Sequence, residues 1–143
     1  MKGSSVLVVK FSPEAAKFEN ELDRVMYIEM GKRFTDKEQE DRMILDEENM
    51  TLVAFLHGDE KHKLDEVVEA ARAVSPGVVE KYEDVTEKFV HQNDFTDYNV
   101  KSEMIFNFIK SNLNIDDVFS KLRNLGEDNL IDVDREIIQE WAA

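Results

Sequence analysis

Apolar residues are densest in residues 50–57, which read MTLVAFLH and contain no acidic residue, lysine or arginine. Successive side chains of a strand point to opposite faces, so Leu52 and Leu56 share one face while Val53 and Phe55 share the other. A strand with one face in water alternates apolar and polar residues, whereas this segment is apolar on both faces. The pattern therefore predicts a central strand that is covered from both sides.

A second strand is predicted at residues 6–11, which read VLVVKF, are again apolar on both faces and are expected beside residues 50–57. A helix is expected to follow, with Ser12 as its N-cap, Pro13 at the first helical position and an end at about Gly31. Its apolar positions recur at helical spacing and are expected to pack on the sheet: Ala15, Phe18, Leu22, Val25 and Met26.

Residues 35–49 allow two interpretations. Thr35 and Glu38 have the spacing of a capping box, which favours a helix. The apolar residues 43–45 favour a short strand that turns into residues 50–57, and this interpretation is preferred. Seven acids against two bases indicate an edge strand protected by charge or a solvated face, with an acidic docking surface as the functional alternative.

Gly58 and Asp59 are expected to end the central strand and cap another helix, which the Ser-Pro-Gly sequence at residues 75–77 ends. The apolar positions of this helix are Leu64, Val67, Val68, Ala71 and Val74. The more polar residues 78–85 suit an edge strand. The order of elements predicts an α+β fold, a ferredoxin-like βαββαβ antiparallel sheet with both helices on one face, in residues 1–90.

Residues 91–143 are predicted to be helical and to extend or cover this domain. The residues expected at the helix ends are Asn99 or Ser102, Asn114 with Asp117, Gly126 and Asp132. The middle helix carries an apolar stripe of Val118, Leu122 and Leu125. Because the central strands are apolar on both faces, these helices are expected to pack on the second face in a single folding unit; a sheet-to-sheet dimer is the alternative.

The last two helices leave two interpretations of Trp141. Residues 115–141, IDDVFSKLRNLGEDNLIDVDREIIQEW, resemble the small helical-hairpin tail appended to various bacterial proteins, including some rhomboid-like membrane proteins. The resemblance covers only the end of the chain and implies no activity. Such a hairpin would close the core and bury Trp141, whereas the functional alternative makes Trp141 an anchor for another protein.

The net charge of the chain indicates which classes of macromolecule it could bind. The chain has 32 acidic and 18 basic residues, a net charge of −14, which repels phosphate backbones and anionic lipids and attracts basic surfaces; solubility alone is the simpler explanation. The absence of cysteine excludes disulfides and thiolate chemistry, and no cofactor is predicted. The apolar runs are too short for a signal peptide or a membrane span, so a cytoplasmic protein is expected.

Titratable residues crowd one strand-to-helix junction at residues 57–62. His57, Asp59 and His62 offer ligands for a divalent metal or an acid and a base for catalysis. The two histidines lie five residues apart, which differs from the i, i+4 spacing of a helical zinc pair. The simpler interpretation is that the acids stabilise the helix start and the histidines lie at the surface.

The sequence contains no phosphate-binding loop and no nucleophile motif, so surface chemistry is the preferred basis of function. We expect a small acidic protein-binding module that acts as a regulator, adaptor or inhibitor of a basic or nucleic-acid-binding protein, in its sharpest form by imitating nucleic-acid phosphates. No direct contact with nucleic acid or membrane is expected, and a homodimer is left open. The candidate partner-binding residues are Asp36, Glu38, Glu40, Asp41, Glu47, Glu48 and Trp141.

Two other classes of function remain as alternatives. The first is an enzyme or a sensor of a metal or small ligand that uses His57, Asp59 and His62. The second is a structural subunit, whose free chain would be unstable outside its oligomer.

Overall fold

Four strands form one antiparallel sheet. The computed structural model describes residues 4–95, 100 and 102–143 of the chain. The strands are β1 (Ser5–Phe11), β2 (Met43–Asp46), β3 (Thr51–Leu56) and β4 (Val79–Asp84). Their order in the sheet is β2-β3-β1-β4, and each neighbouring pair is antiparallel.

The β1–β3 pair forms the middle of this sheet, and both of its faces are buried. Leu7 lies opposite Ala54, and Val8 lies opposite Val53. All six residues of β3 are buried. The prediction of a central strand apolar on both sides is therefore confirmed.

Three helices accompany the strands in this part of the chain: α1 (Glu19–Arg33), α2 (Asp36–Arg42) and α3 (Glu60–Val74). Leu22 and Met30 of α1 and Leu64 of α3 share one core cluster with the strand residues that point to the same face. The strand members of that cluster are Leu7, Val9, Phe11, Leu52, Ala54, Leu56 and Val79. Alternation along the strands thus supplies the helices with a continuous apolar surface.

A polar contact joins α3 to the edge strand β4. The Tyr82 hydroxyl donates a hydrogen bond to the Asp65 carboxylate at 2.5 Å. Burial, reinforced by this bond, raises the pKa of Tyr82. The phenol therefore remains a hydrogen-bond donor at neutral pH.

The chain divides into two compact units, Ser5–Asp84 and a second unit that contains Val85–Ala143. The second unit carries α4 (Ser102–Asn112), α5 (Ile115–Leu125) and α6 (Asp132–Ala142). The boundary falls six residues before the predicted end of the sheet domain at residue 90. The predicted packing of the helical segment on the sheet, within a single folding unit, stays a prediction.

Two predicted helix starts are wrong in detail. Ser12 and Pro13 occupy the predicted N-cap and first helical positions, but of a 3₁₀ helix, Pro13–Phe18, that precedes α1. The Ser12 hydroxyl makes no capping bond and donates to the Gly77 carbonyl oxygen at 2.6 Å. Asp59 occupies the N-cap position of α3 but its side chain makes no capping bond. The Glu60 carboxylate accepts the His57 N–H at 2.8 Å instead.

Residues 35–49 contain both predicted structures in succession. The capping box at Thr35 and Glu38 starts α2, and the chain then forms β2 at the edge of the sheet. The preference for a strand is therefore correct from Met43 onward and wrong for the seven residues of α2.

The C-terminal helix ends agree largely with the predictions. Asn114 and Asp117 form the capping box of α5, and Gly126, with φ of 84°, ends this helix. α6 begins at Asp132, but its first turn is fixed by the Asp134 carboxylate, which accepts the Ile131 N–H at 3.1 Å. The predicted cap at Asn99 lies outside the described residues, and Ser102 is the first residue of α4.

The α+β class and the antiparallel sheet are confirmed. The finer assignment to a ferredoxin-like plan stays a prediction. Among the described residues, no helix is both long enough and apolar enough to cross a bilayer.

Leu64→Ala is expected to lower the free energy of unfolding by about 2–5 kcal/mol, because Leu64 is fully buried and the smaller side chain leaves a cavity. Urea denaturation followed by far-UV circular dichroism measures this change. Ile28→Ala, at an exposed position of α1, is the control and is expected to stay within about 0.5 kcal/mol of the wild type. A loss below about 1 kcal/mol for Leu64→Ala would contradict its place in the core.

Candidate functional site

The predicted acidic residues lie on consecutive elements of the sheet unit, and we call them the acidic segment. Four of them are on α2 and two are in the turn between β2 and β3. Glu38 is half-buried, and the others are exposed. The members of the acidic segment are Asp36, Glu38, Glu40, Asp41, Glu47 and Glu48.

Local hydrogen bonds fix the backbone that carries these carboxylates. The Glu38 N–H donates to Thr35 Oγ1 at 3.1 Å, and the Thr35 N–H donates to Glu38 Oε1 at 3.1 Å. In the β2–β3 turn, the Asp46 carboxylate accepts from the Asn49 backbone at 3.2 Å and from its side chain at 2.7 Å. Both ends of the acidic segment are therefore held in defined positions.

The two bases of this region are already engaged. Arg42 pairs with Glu38 and with Glu60, and Lys37 pairs with Asp41 at 3.0 Å. Within the part of the chain that the structure describes, the remaining four acids form no ion pair: Asp36, Glu40, Glu47 and Glu48. Their charges face solvent and remain available to a partner.

Two carboxylates of this region stay ionised into more acidic solution than usual. The backbone N–H of Thr35 and its hydroxyl, followed by the Arg42 guanidinium, lower the pKa of Glu38 below its ordinary value of 4.5. The Asn49 side chain and backbone likewise lower the pKa of Asp46. The hydrogen bonds that shape the backbone thus also stabilise negative charge there.

An apolar groove, which we call the methionine groove, opens beside the acidic segment. It has a volume of about 250 Å³. Tyr27 and Leu45 are 83% and 58% exposed at its surface, whereas Met30 and Leu52 are buried at 7% and 6%. The lining residues are Phe11, Met26, Tyr27, Met30, Gln39, Met43, Leu45 and Leu52.

The methionine groove was not predicted from the sequence. Residues 25–28 read VMYI, four apolar residues in a row, whereas a single helical stripe would leave some of them polar. Tyr27 and Ile28 fall outside the predicted stripe and are exposed. This excess of apolar residues on α1 is the signal that could have indicated the groove.

Trp141 lies on α6 in the other unit and is 62% exposed, so the interpretation that buries it is wrong. Its ring packs edge-on against Phe119 of α5, with 5.3 Å between the ring centres. Leu122, on the same helix as Phe119, is 37% exposed. Trp141 therefore remains accessible to a partner, as the anchor hypothesis requires.

The residues of the predicted metal or catalytic site are all exposed: His57, Asp59 and His62. His62 Nε2 lies 3.0 Å from Glu66 Oε1, one turn further along α3. Among the described residues there is no group of three or more His, Asp or Glu side chains that could hold a metal ion. The structure thus does not gather these three residues into a ligand set.

A buried lysine, also missed from the sequence, lies in the C-terminal unit. Lys121 is 1% exposed, and its ammonium group donates to Asp134 Oδ1 at 2.9 Å and to Asn93 Oδ1 at 2.7 Å. The Asn93 amide donates in turn to Asp134 Oδ2 at 3.0 Å. Burial lowers the pKa of Lys121, and the Asp134 carboxylate opposes this effect.

This network accounts for one error in the predicted stripe of α5. Lys121 takes the buried position, while Leu122 of the predicted stripe is partly exposed. The neighbouring cavity, of about 450 Å³, has a mostly polar lining: Glu87, His91, Gln92, Asp94, Ser120, Lys121, Asn124 and Leu125. Because Lys121 already has an ionic and an amide partner, its role is to join α5 to α6.

Comparisons with protein-family models, with curated proteins and with solved structures give no match to this chain.

Glu38→Gln is expected to make the stability of the sheet unit less sensitive to acid. A carboxyl group whose pKa is lowered by folding stabilises the fold fully above about pH 4.5, and this contribution is lost as the pH falls through the folded pKa. Denaturation midpoints measured from neutral to acid pH test this expectation. Identical pH profiles for the variant and the wild type would contradict it.

Lys121→Met is expected to destabilise the C-terminal unit by about 3–5 kcal/mol, because it leaves the Asp134 carboxylate buried without its ionic partner. The double variant Lys121→Met/Asp134→Asn removes both charges, keeps a side-chain oxygen that can accept the Ile131 N–H, and is expected to recover part of this loss. Thermal denaturation of the wild type, the single variant and the double variant measures both effects. A double variant less stable than the single one would show that the pair itself is a major source of stability.

Proposed function

We propose that this chain is a small acidic protein-binding module that regulates, recruits or inhibits a protein with a basic surface. The observation that carries the proposal is a set of four exposed carboxylates on the acidic segment that form no ion pair with the described residues: Asp36, Glu40, Glu47 and Glu48. The capping box of α2 and the Asp46–Asn49 turn hold them in place before a partner arrives. A prepositioned charged surface accelerates and orients the encounter with a partner of opposite charge.

The charge balance of the segment supports a basic partner in particular. Residues 35–49 carry seven acids and two bases, and both bases are paired within the chain. A second acidic protein, an anionic lipid or a nucleic acid would meet repulsion there. In one specific version of this proposal, the carboxylates imitate nucleic-acid phosphates and the partner is a nucleic-acid-binding protein.

We also assign the sheet unit to the ferredoxin-like plan. What supports this assignment is the position of β1 and β3 in the middle of the sheet, of β2 and β4 at its edges, and of α1 and α3 against one face. In the ferredoxin-like plan, the two edge strands and the short segments next to them lie at the periphery of the sheet. The acidic segment is one of those peripheral segments.

The proposal predicts that the tagged chain retains a basic protein from a lysate of its source organism and releases it in a salt gradient, with mass spectrometry identifying it. Neutralising the four unpaired acids (Asp36→Asn, Glu40→Gln, Glu47→Gln, Glu48→Gln) is expected to weaken this interaction at least about tenfold, because the charge contacts are lost. Titration of the purified partner measures the affinity.

The matched control changes the net charge by the same four units at exposed acids outside the segment: Glu19→Gln, Glu21→Gln, Glu127→Gln and Asp128→Asn. It is expected to bind as the wild type does. The phosphate-imitation version further predicts that duplex DNA or RNA displaces the chain from its partner. Equal weakening by both sets of substitutions, or no protein retained at low salt, would refute the proposal.

His57→Ala/His62→Ala discriminates between binding and the enzyme or sensor alternative. The double variant is expected to leave partner binding unchanged, because both histidines lie outside the acidic segment. A metal-dependent or catalytic activity lost in this variant would favour the alternative instead.

A further inference from the structure

We infer that the methionine groove binds the apolar side chains of a basic amphipathic helix in the partner protein. This inference rests on the proposed function and adds the chemistry of the bound segment. Its two supports are an exposed apolar surface that a soluble chain has no structural need for, and the negative charge beside it.

The groove exists because the edge of the sheet lacks a full helical cover. Leu45 of β2 lies opposite Leu52 of β3, so both side chains point to the face on which α1 packs. Leu52 is buried, but Leu45 at the edge is 58% exposed. Tyr27 of α1 lies across the groove from β2 and is 83% exposed.

The size of the groove suits a side chain and not a whole small ligand. Pockets that enclose drug-sized molecules usually measure about 300–1,000 Å³, whereas this groove measures about 250 Å³. Interfaces between proteins, in contrast, depend on a few large side chains that fill small pockets of this kind. One or two apolar anchors of a larger partner are the fitting occupants.

Three methionines give the groove an adaptable surface. Met26, Met30 and Met43 line it together with the amphipathic ring of Tyr27. Methionine side chains are unbranched and polarizable, so they adjust to incoming apolar groups better than branched residues do. Surfaces of this composition commonly receive amphipathic helices.

The negative charge around the methionine groove favours an amphipathic helix that is basic. Gln39 lines the groove between Glu38 and Glu40, and Leu45 is followed by Asp46 and Glu47. The bases of α2, Lys37 and Arg42, are both paired. Of the bases of α1, Lys32 and Arg33 pair with Glu29, and Arg24 is exposed. The net surroundings are negative, so lysines and arginines flanking the apolar anchors would meet opposite charge.

Strand addition is a weaker explanation of the same surface. β2 has only four residues, and the Met43 N–H already donates to the Gln39 carbonyl oxygen at the end of α2. Few backbone groups therefore remain on this edge for a new strand, and acidic residues follow it directly. A partner helix satisfies its own backbone hydrogen bonds, so it can bind without using the free backbone groups of β2.

The test uses a fluorescent synthetic helix of about five turns, with leucine at i, i+3, i+4 and i+7 positions and lysine elsewhere. A shuffled peptide of identical composition keeps the charge and loses the apolar face. Fluorescence anisotropy at low and at physiological ionic strength measures both affinities. The amphipathic peptide is expected to bind at least about tenfold more tightly than the shuffled one.

The double variant Tyr27→Ser/Leu45→Ser removes the two most exposed lining residues and is expected to weaken binding of the amphipathic peptide at least about tenfold. Both positions are exposed, so the fold is expected to tolerate the change. Ile28→Ser is the matched control, since Ile28 is an exposed apolar residue of α1 that does not line the groove. It is expected to bind as the wild type does.

The inference would be overturned if the amphipathic and shuffled peptides bound with equal affinity, or if neither bound. It would also be overturned if the double variant bound the amphipathic peptide as tightly as the wild type does. Self-association of the chain, detected by sedimentation, that the double variant abolishes would overturn it too, because a second copy would then be the occupant. If both peptides bind equally and the four-acid neutral variant binds neither, the proposed function stands and only the groove inference fails. If the lysate yields no basic partner, the proposed function fails as well.

Discussion

The structure of the sheet unit depends on the pairing of β1 with β3, two strands whose side chains are apolar on both faces. The four central pairs of this ladder, from Val6–Phe55 to Val9–Leu52, are buried, so a shift by one residue would exchange these apolar side chains between the faces. The register therefore fixes which residues meet α1 and α3. The short strand β2 and the more polar strand β4 lie at the two edges of the sheet.

The candidate site lies at the β2 edge of the sheet and results from the short length of β2 and the charge on α2. β2 is short, and α2 immediately before it carries charge in place of an apolar stripe, so neither element covers the outer part of the face on which α1 packs. The apolar excess of α1, Tyr27 above all, is left at the surface beside Leu45. Paired bases and capped turns then hold the neighbouring carboxylates in place. Apolar and negative surfaces thus lie together as a consequence of the sheet edge.

Strands and helix ends could be predicted from the sequence where a single local pattern determines them. The apolar runs of β1 and β3, the capping boxes at Thr35 and Asn114 and the glycine end of α5 are local patterns with a direct structural meaning. The errors occur where tertiary contacts decide. Ser12 bonds to Gly77, far away in sequence, and Lys121 is buried because Asp134 and Asn93 compensate its charge. The methionine groove likewise is lined by residues of five elements, β1, α1, α2, β2 and β3, which no single local pattern joins.

Binding of a basic amphipathic helix beside the acidic segment can be tested directly by amide chemical-shift mapping with isotope-labelled protein and the synthetic peptide. We expect saturable shifts confined to α2, the β2–β3 turn and the residues of α1 and β2 that line the methionine groove. These shifts should weaken as salt is added, since charge contributes to the contact. Shifts centred instead on Trp141, on the cavity beside Lys121 or on His57 and His62 would contradict this expectation.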